Sequence, residues 1–190
     1  MAGIKKVTQT LEGYIQMNYK EEVTKAMTIL GRDEKTIFLG QSIRYPGHVM
    51  FNTLVDVPME KRIELPVMED AQMGMSIGLA LEGFIPITIY PRMDFLILAL
   101  NQLVNHLDKI EEMSAGQYKP RVIIRTMVGS KKPMNPGPQH CQDHTEALKL
   151  LTPSIKVIKL LYPSCVIPFY KKALEREKST VIIEMGDLYA

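Results

Sequence analysis

The stretch LPVMEDAQMGMSIGLALEGF, Leu65 to Phe84, decides the fold. Short runs rich in branched apolar residues flank it, Arg62–Glu64 before and Ile85–Ile89 (IPITI) after, and both read as strands. Between them Ala71–Glu82 carries a helical pattern. Pro66 closes the first strand, and Glu69 and Asp70 stand at the helix start, where the helix dipole favours acids. Gly74 and Gly78, four residues apart, fall on one helix face, where another backbone can approach closely. A strand, a helix and a second strand in this order predict a right-handed crossover between parallel strands.

The same alternation extends in both directions. Thr36–Leu39, Arg121–Thr126, Ile155–Leu160 and Thr180–Glu184 read as further strands, and Tyr19–Leu30, Asp94–Met113, Asp143–Leu150 and Ser164–Glu177 as helices. This is the pattern of a doubly wound α/β fold, a mainly six-stranded parallel sheet with helices on both faces. Two connections, 40–61 and 127–142, are long and rich in Gly and Pro, so they are candidate walls of a site beyond the carboxyl ends of the strands. In the Asp94–Met113 helix Asp94 suits the N-cap, and FLILAL places apolar side chains all round. Such a helix is buried either against another subunit or beneath the chain's own loops.

With 190 residues the chain accommodates one domain, read here as 1–190 with 1–17 as a possible N-terminal extension. Its 46% hydrophobic and 23% charged residues suit a globular fold. A formal charge of +2 without long basic runs gives no footprint for nucleic acid. The start lacks a signal-peptide core, and no uncharged stretch of membrane-spanning length occurs, so a cytoplasmic location without membrane contact is expected. Cys141 and Cys165 form no C-x-x-C pattern, so reduced thiols are expected, with neither a disulfide framework nor a metal site.

Glu69, four residues, Gly74-Met75, two residues and Gly78-Leu79 match, without a gap, the pyrimidine-side motif of thiamine diphosphate enzymes. TIFLGQSIRYPGHVMFNTL, DFLILALNQLVNH, EEMSAGQYKPRVIIR, GPQHCQDHTEAL, IKVIKLLYPS and TVIIEMGDLY follow in the order found in the beta subunit of pyruvate dehydrogenase and its transketolase-like relatives. The chain therefore resembles that family from about Tyr19 to Tyr189. The resemblance implies that Glu69 hydrogen-bonds the aminopyrimidine ring nitrogen of the cofactor and shares a proton with it. It implies that Phe95 packs on the pyrimidine face, with Val67 as an apolar companion and Pro91 where the family places Met or another apolar side chain. His140, in GPQHCQ, matches a histidine of the family held near the reacting centre. On chemistry alone, Glu69 is equally a plain first-turn acid, Phe95 a core residue and His140 a surface residue.

Several departures accompany the resemblance. Leu98 stands where Gln is common, and Ala71-Gln72 where Gly-Phe is common. No Gly-Asp-Gly occurs, whereas the family uses that motif to hold the diphosphate through Mg2+. The chain ends at DLYA, near where the family's beta subunit passes into its third domain. Neither a diphosphate-binding domain nor a carboxy-terminal transketolase-type domain is therefore expected within 1–190. The resemblance implies a beta-like subunit of a split enzyme acting on a small 2-oxoacid or ketose. An alpha-like subunit would share the thiamine diphosphate and hold its Mg2+, and the chain would pair with itself within an α2β2-like heterotetramer. The alternative is a non-catalytic regulatory or scaffold subunit that keeps the fold.

Overall fold

A computed structural model describes residues 17–133 and 135–189, so the extension expected over 1–17 lies outside the described residues except for Met17. Six parallel strands form one sheet in the order β2-β1-β3-β4-β6-β5. They are β1 (Thr36–Gly40), β2 (Arg62–Glu64), β3 (Ile85–Tyr90), β4 (Ile123–Val128), β5 (Lys156–Lys159) and β6 (Thr180–Met185). The doubly wound expectation holds. Every residue of β3 is buried, as a central parallel strand covered on both faces requires.

Alternation along the strands sorts side chains into two cores. Ile85, Ile87, Ile89, Ile123 and Ile182 face one core, closed by α1 (Tyr19–Gly31) and α7 (Pro163–Glu175). Tyr90, Ile124, Val181 and Ile183 face the other, closed by α3 (Glu69–Leu81) and the segment from Met93 to Met113. The chain also forms α2 (Val49–Asn52), which the sequence reading missed, and α6 (Thr145–Leu151).

The expected Asp94–Met113 helix is not continuous. It divides into α4 (Met93–Leu96), a 3-10 turn (Ile97–Ala99), a π-helix (Asn101–Leu107) and α5 (Ile110–Met113). The wide turn, marked by the bond from Asp108 N to Leu103 O at 3.0 Å, keeps Leu96, Ala99, Leu103 and Leu107 all facing the sheet. Arg92, not Asp94, occupies the N-cap, because the Asp94 carboxylate instead accepts the backbone N–H and side-chain Nε2 of Gln142. Nor do the chain's own described residues cover the segment all round: Ile97 and Leu98 are exposed.

Among the described residues no helix is long and apolar enough to cross a membrane. Cys141 and Cys165 are free thiols.

Candidate functional site

The carboxyl ends of β1, β2 and β3 lie side by side, and the residues immediately beyond them build the site. Gly40 ends β1 with φ of 153°, and a Cβ there would stand 2.4 Å from Ile89 O, so only glycine lets β1 and β3 come this close. From Gly40 the chain turns into the loop that carries Gln41. The Glu64 carboxylate at the end of β2 accepts the backbone N–H groups of Ser42, Ile43 and Arg44 at 2.6, 2.8 and 2.8 Å. Three charge-assisted bonds of this kind fix the loop against the sheet.

Glu69 is the first residue of α3 and only 4% exposed. The helix has no side-chain cap, so its first N–H groups leave a positive end beside the two acids. Gln41 Nε2 donates to Glu69 Oε1 at 3.3 Å, and the Tyr90 hydroxyl donates to Glu69 O at 3.2 Å. Burial pushes the Tyr90 phenol well above its ordinary range, and the carboxylates of Glu69 and Asp70 push it further, so it remains a donor. Among the described residues the Glu69 carboxylate accepts a hydrogen bond only from Gln41. A buried carboxylate with so few donors is set up to receive another.

Two residues beyond Tyr90, Arg92 Nη1 donates to His140 O at 3.2 Å. The His140 ring meets Phe95 edge-on, with centroids 5.6 Å apart and planes at 87°. Its Nδ1 is buried and has no partner among the described residues. Gly129 permits this approach, since a Cβ there would stand 1.9 Å from His140 O. Pro91 is buried between the two donors on the strand end, whereas Val67 is 77% exposed. The structure thus joins Phe95 to His140 directly, and sets Glu69 and His140 on residues two apart at the end of β3.

The sequence reading missed Gln41, Glu64, Tyr90 and Arg92. All four are polar residues at or just past the carboxyl ends of expected strands, the place where open α/β sheets build their sites. The glycine face of α3 is open: among the described residues nothing lies within 4 Å of a Cβ at Gly78, and only the Gln102 side chain, at 3.9 Å, approaches one at Gly74. Met68, Met75, Leu81, Ile97 and Leu98, on or next to α3 and the following segment, are exposed. Among the described residues no group of three His, Cys, Asp or Glu side chains is placed to hold a metal ion.

No family model matches the chain. The beta subunit of the pyruvate dehydrogenase E1 component from Mycoplasma pneumoniae is 30% identical over 184 residues, which cover 92% of this chain and 54% of the relative. The corresponding subunit from Gracilaria tenuistipitata var. liui is 29% identical over 127 residues, 67% of this chain and 38% of the relative. The chain spans about half or less of the length of such relatives. Among solved structures, a split-gene transketolase in an inactive beta4 tetramer superposes with a TM-score of 0.67 at 20% identity, over 87% of this chain and 50% of that one. The transketolase of Campylobacter jejuni gives 0.65 at 13% identity, over 87% of this chain and 25% of its own. The ordered strands and these likenesses agree: the chain has the fold of the transketolases and resembles in sequence the beta subunits of pyruvate dehydrogenase E1.

Proposed function

We propose that the chain is the pyrimidine-binding, beta-like subunit of a split thiamine diphosphate-dependent enzyme acting on a small 2-oxoacid or ketose. The observation that carries this reading is Glu69: a carboxylate 4% exposed, at an uncapped helix start, with one long hydrogen bond at 3.3 Å from Gln41. That acceptor suits a ring nitrogen carrying a proton. In this reading Glu69 holds that proton, Tyr90 and Gln41 hold Glu69, and Phe95, Pro91 and Val67 supply the apolar wall for the ring. Bound there, thiamine diphosphate would supply a nucleophilic carbon for the substrate carbonyl. His140, steered by Arg92 and Phe95, holds or delivers a proton on the substrate side.

A second polypeptide completes the site. The diphosphate needs a metal held by oxygen ligands, and the family's Gly-Asp-Gly sequence does not occur in this chain. The open glycine face of α3 and the exposed apolar side chains around it suit contact with an alpha-like subunit and a second copy of this chain.

The test is calorimetry of thiamine diphosphate with Mg2+ against the chain alone and against its mixture with a subunit carrying Gly-Asp-Gly. Binding should require the mixture, and equal binding without the partner would sink the split-site reading. In the reconstituted enzyme Glu69→Gln should lower turnover by about 10²- to 10⁴-fold. Unchanged turnover would favour the non-catalytic subunit instead.

A further inference from the structure

A cavity of about 390 Å³ opens beside the His140 loop, bounded by residues that follow four different strands. Gly47, His48 and Val49 come from the connection after β1, Arg92 from the end of β3, Ser130 and Lys132 from the loop after β4, and Gly186 and Tyr189 from beyond β6. Among the described residues, and apart from the Tyr189 phenol, every ionisable side chain lining it is a base: His48, Arg92 and Lys132. The acids close by in sequence are committed elsewhere. Asp187 accepts from Ser130 Oγ at 2.7 Å and Lys131 N at 2.9 Å, and Glu184 is buried in an ion pair with Arg125.

His48 is fixed in one useful state. Its Nδ1 accepts the Met50 N–H at 3.2 Å and so caps α2, which leaves the ring's hydrogen on Nε2. Burial, and then the charges of Arg92 and Arg125, lower the ring's affinity for a second proton. The lining therefore offers an imidazole N–H, a guanidinium and an ammonium around one opening, with no carboxylate among the described residues that line it. Guanidinium and ammonium groups arranged in this way match the oxygens of a carboxylate or a phosphate.

We infer that this chain carries its own anion subsite, the cavity between His48, Arg92 and Lys132, and that it takes the carboxylate or phosphate end of the small-molecule substrate. The assignment to substrate rests on the proposed function; binding of the anion does not. Arg92 links the two roles, because the guanidinium that lines the cavity also holds His140 O. It is a positioning and specificity residue that ties occupation of the subsite to placement of the histidine.

The test is a titration of the full chain with inorganic phosphate and, separately, with pyruvate at constant ionic strength, followed by the ring resonances of His48. Saturable shifts are expected, and Arg92→Met should weaken them about tenfold or more, since it removes the fork but keeps the stem. Arg92→Lys, which keeps the charge, should recover most of the affinity, and Lys132→Ala, which leaves the Arg92 bond to His140 O in place, should also weaken binding. Tighter binding of pyruvate assigns a carboxylate donor, and tighter binding of phosphate assigns a phosphorylated one. Glu69→Ala should bind both anions like the wild type, so failure of cofactor binding and failure of the subsite are read separately. Absence of saturation, or equal affinity in wild type, Arg92→Met and Lys132→Ala, overturns the proposal.

Discussion

Two glutamates buried in this molecule stand in opposite circumstances. Glu184, on β6, receives Arg125 Nε at 2.8 Å and Nη2 at 3.1 Å, the Tyr170 hydroxyl at 2.6 Å and the Tyr189 hydroxyl at 2.5 Å. Glu69, at the start of α3, receives Gln41 alone. The first lies under α1 and α7, where the chain completes its own core; the second lies beside a helix whose outer face is left apolar and uncovered. The difference separates a carboxylate that the fold consumes from one that it withholds. A buried acid fully surrounded by donors stabilises; a buried acid left short of them keeps its capacity for something that is not part of the chain.

Removing one partner of the satisfied acid should give the largest effect on folding. Arg125→Met leaves Glu184 buried without its counter-charge, and chemical denaturation should show a loss of about 3–5 kcal/mol. Although burial works against the Arg125 charge, Glu184 and the neighbouring tyrosines more than offset it and hold the guanidinium protonated, so this loss should persist across the neutral range. Next comes Glu64→Ala, which strips three backbone N–H groups of their acceptor and should cost about 2–3 kcal/mol. The same change should free Gln41 and raise hydrogen exchange over 41–48.

A smaller effect concerns pH. Burial and the charges of Arg92 and Arg125 lower the His48 pKa below its ordinary 6.5, so the unfolded chain binds the proton more readily than the folded one. Stability should therefore fall as pH drops below about 6.5, and His48→Gln should flatten that part of the thermal-unfolding profile. The smallest effect is the sharpest contrast. Glu69→Gln in the isolated chain should change stability by less than about 0.5 kcal/mol, because the folded chain makes little use of the carboxylate. A loss near that of Arg125→Met would erase the distinction between the two acids.

Much of this architecture was legible in the sequence because it is periodic. Branched apolar runs located all six strands, with Arg62–Glu64 matching at both ends and Thr36–Leu39 short by one residue. The reading of Arg121–Thr126 began early, since Arg121 and Val122 resemble strand residues but the ladder with β6 starts at Ile123. The broken helix after Met93 was not legible: FLILAL looks like a uniform helix former, and only its fit against the sheet demands the wide turn at Leu103 to Asp108. At the candidate site, Glu69 stands out in the sequence because its glycines follow at fixed spacing. Glu64 and Arg125 could not, because their partners lie in other elements, 59 residues away in the case of Arg125 and Glu184. Long-range polar pairing leaves no local period to detect.

The end of β3 has a consequence of its own. Tyr90 grips the backbone of Glu69, and Arg92, two residues further along the chain, grips that of His140. The acid and the imidazole are therefore not independently adjustable instruments but two pointers on a single shaft. A disturbance of this strand end should swing both together, so changes at Tyr90 and Arg92 should combine non-additively even though they hold different segments of the chain.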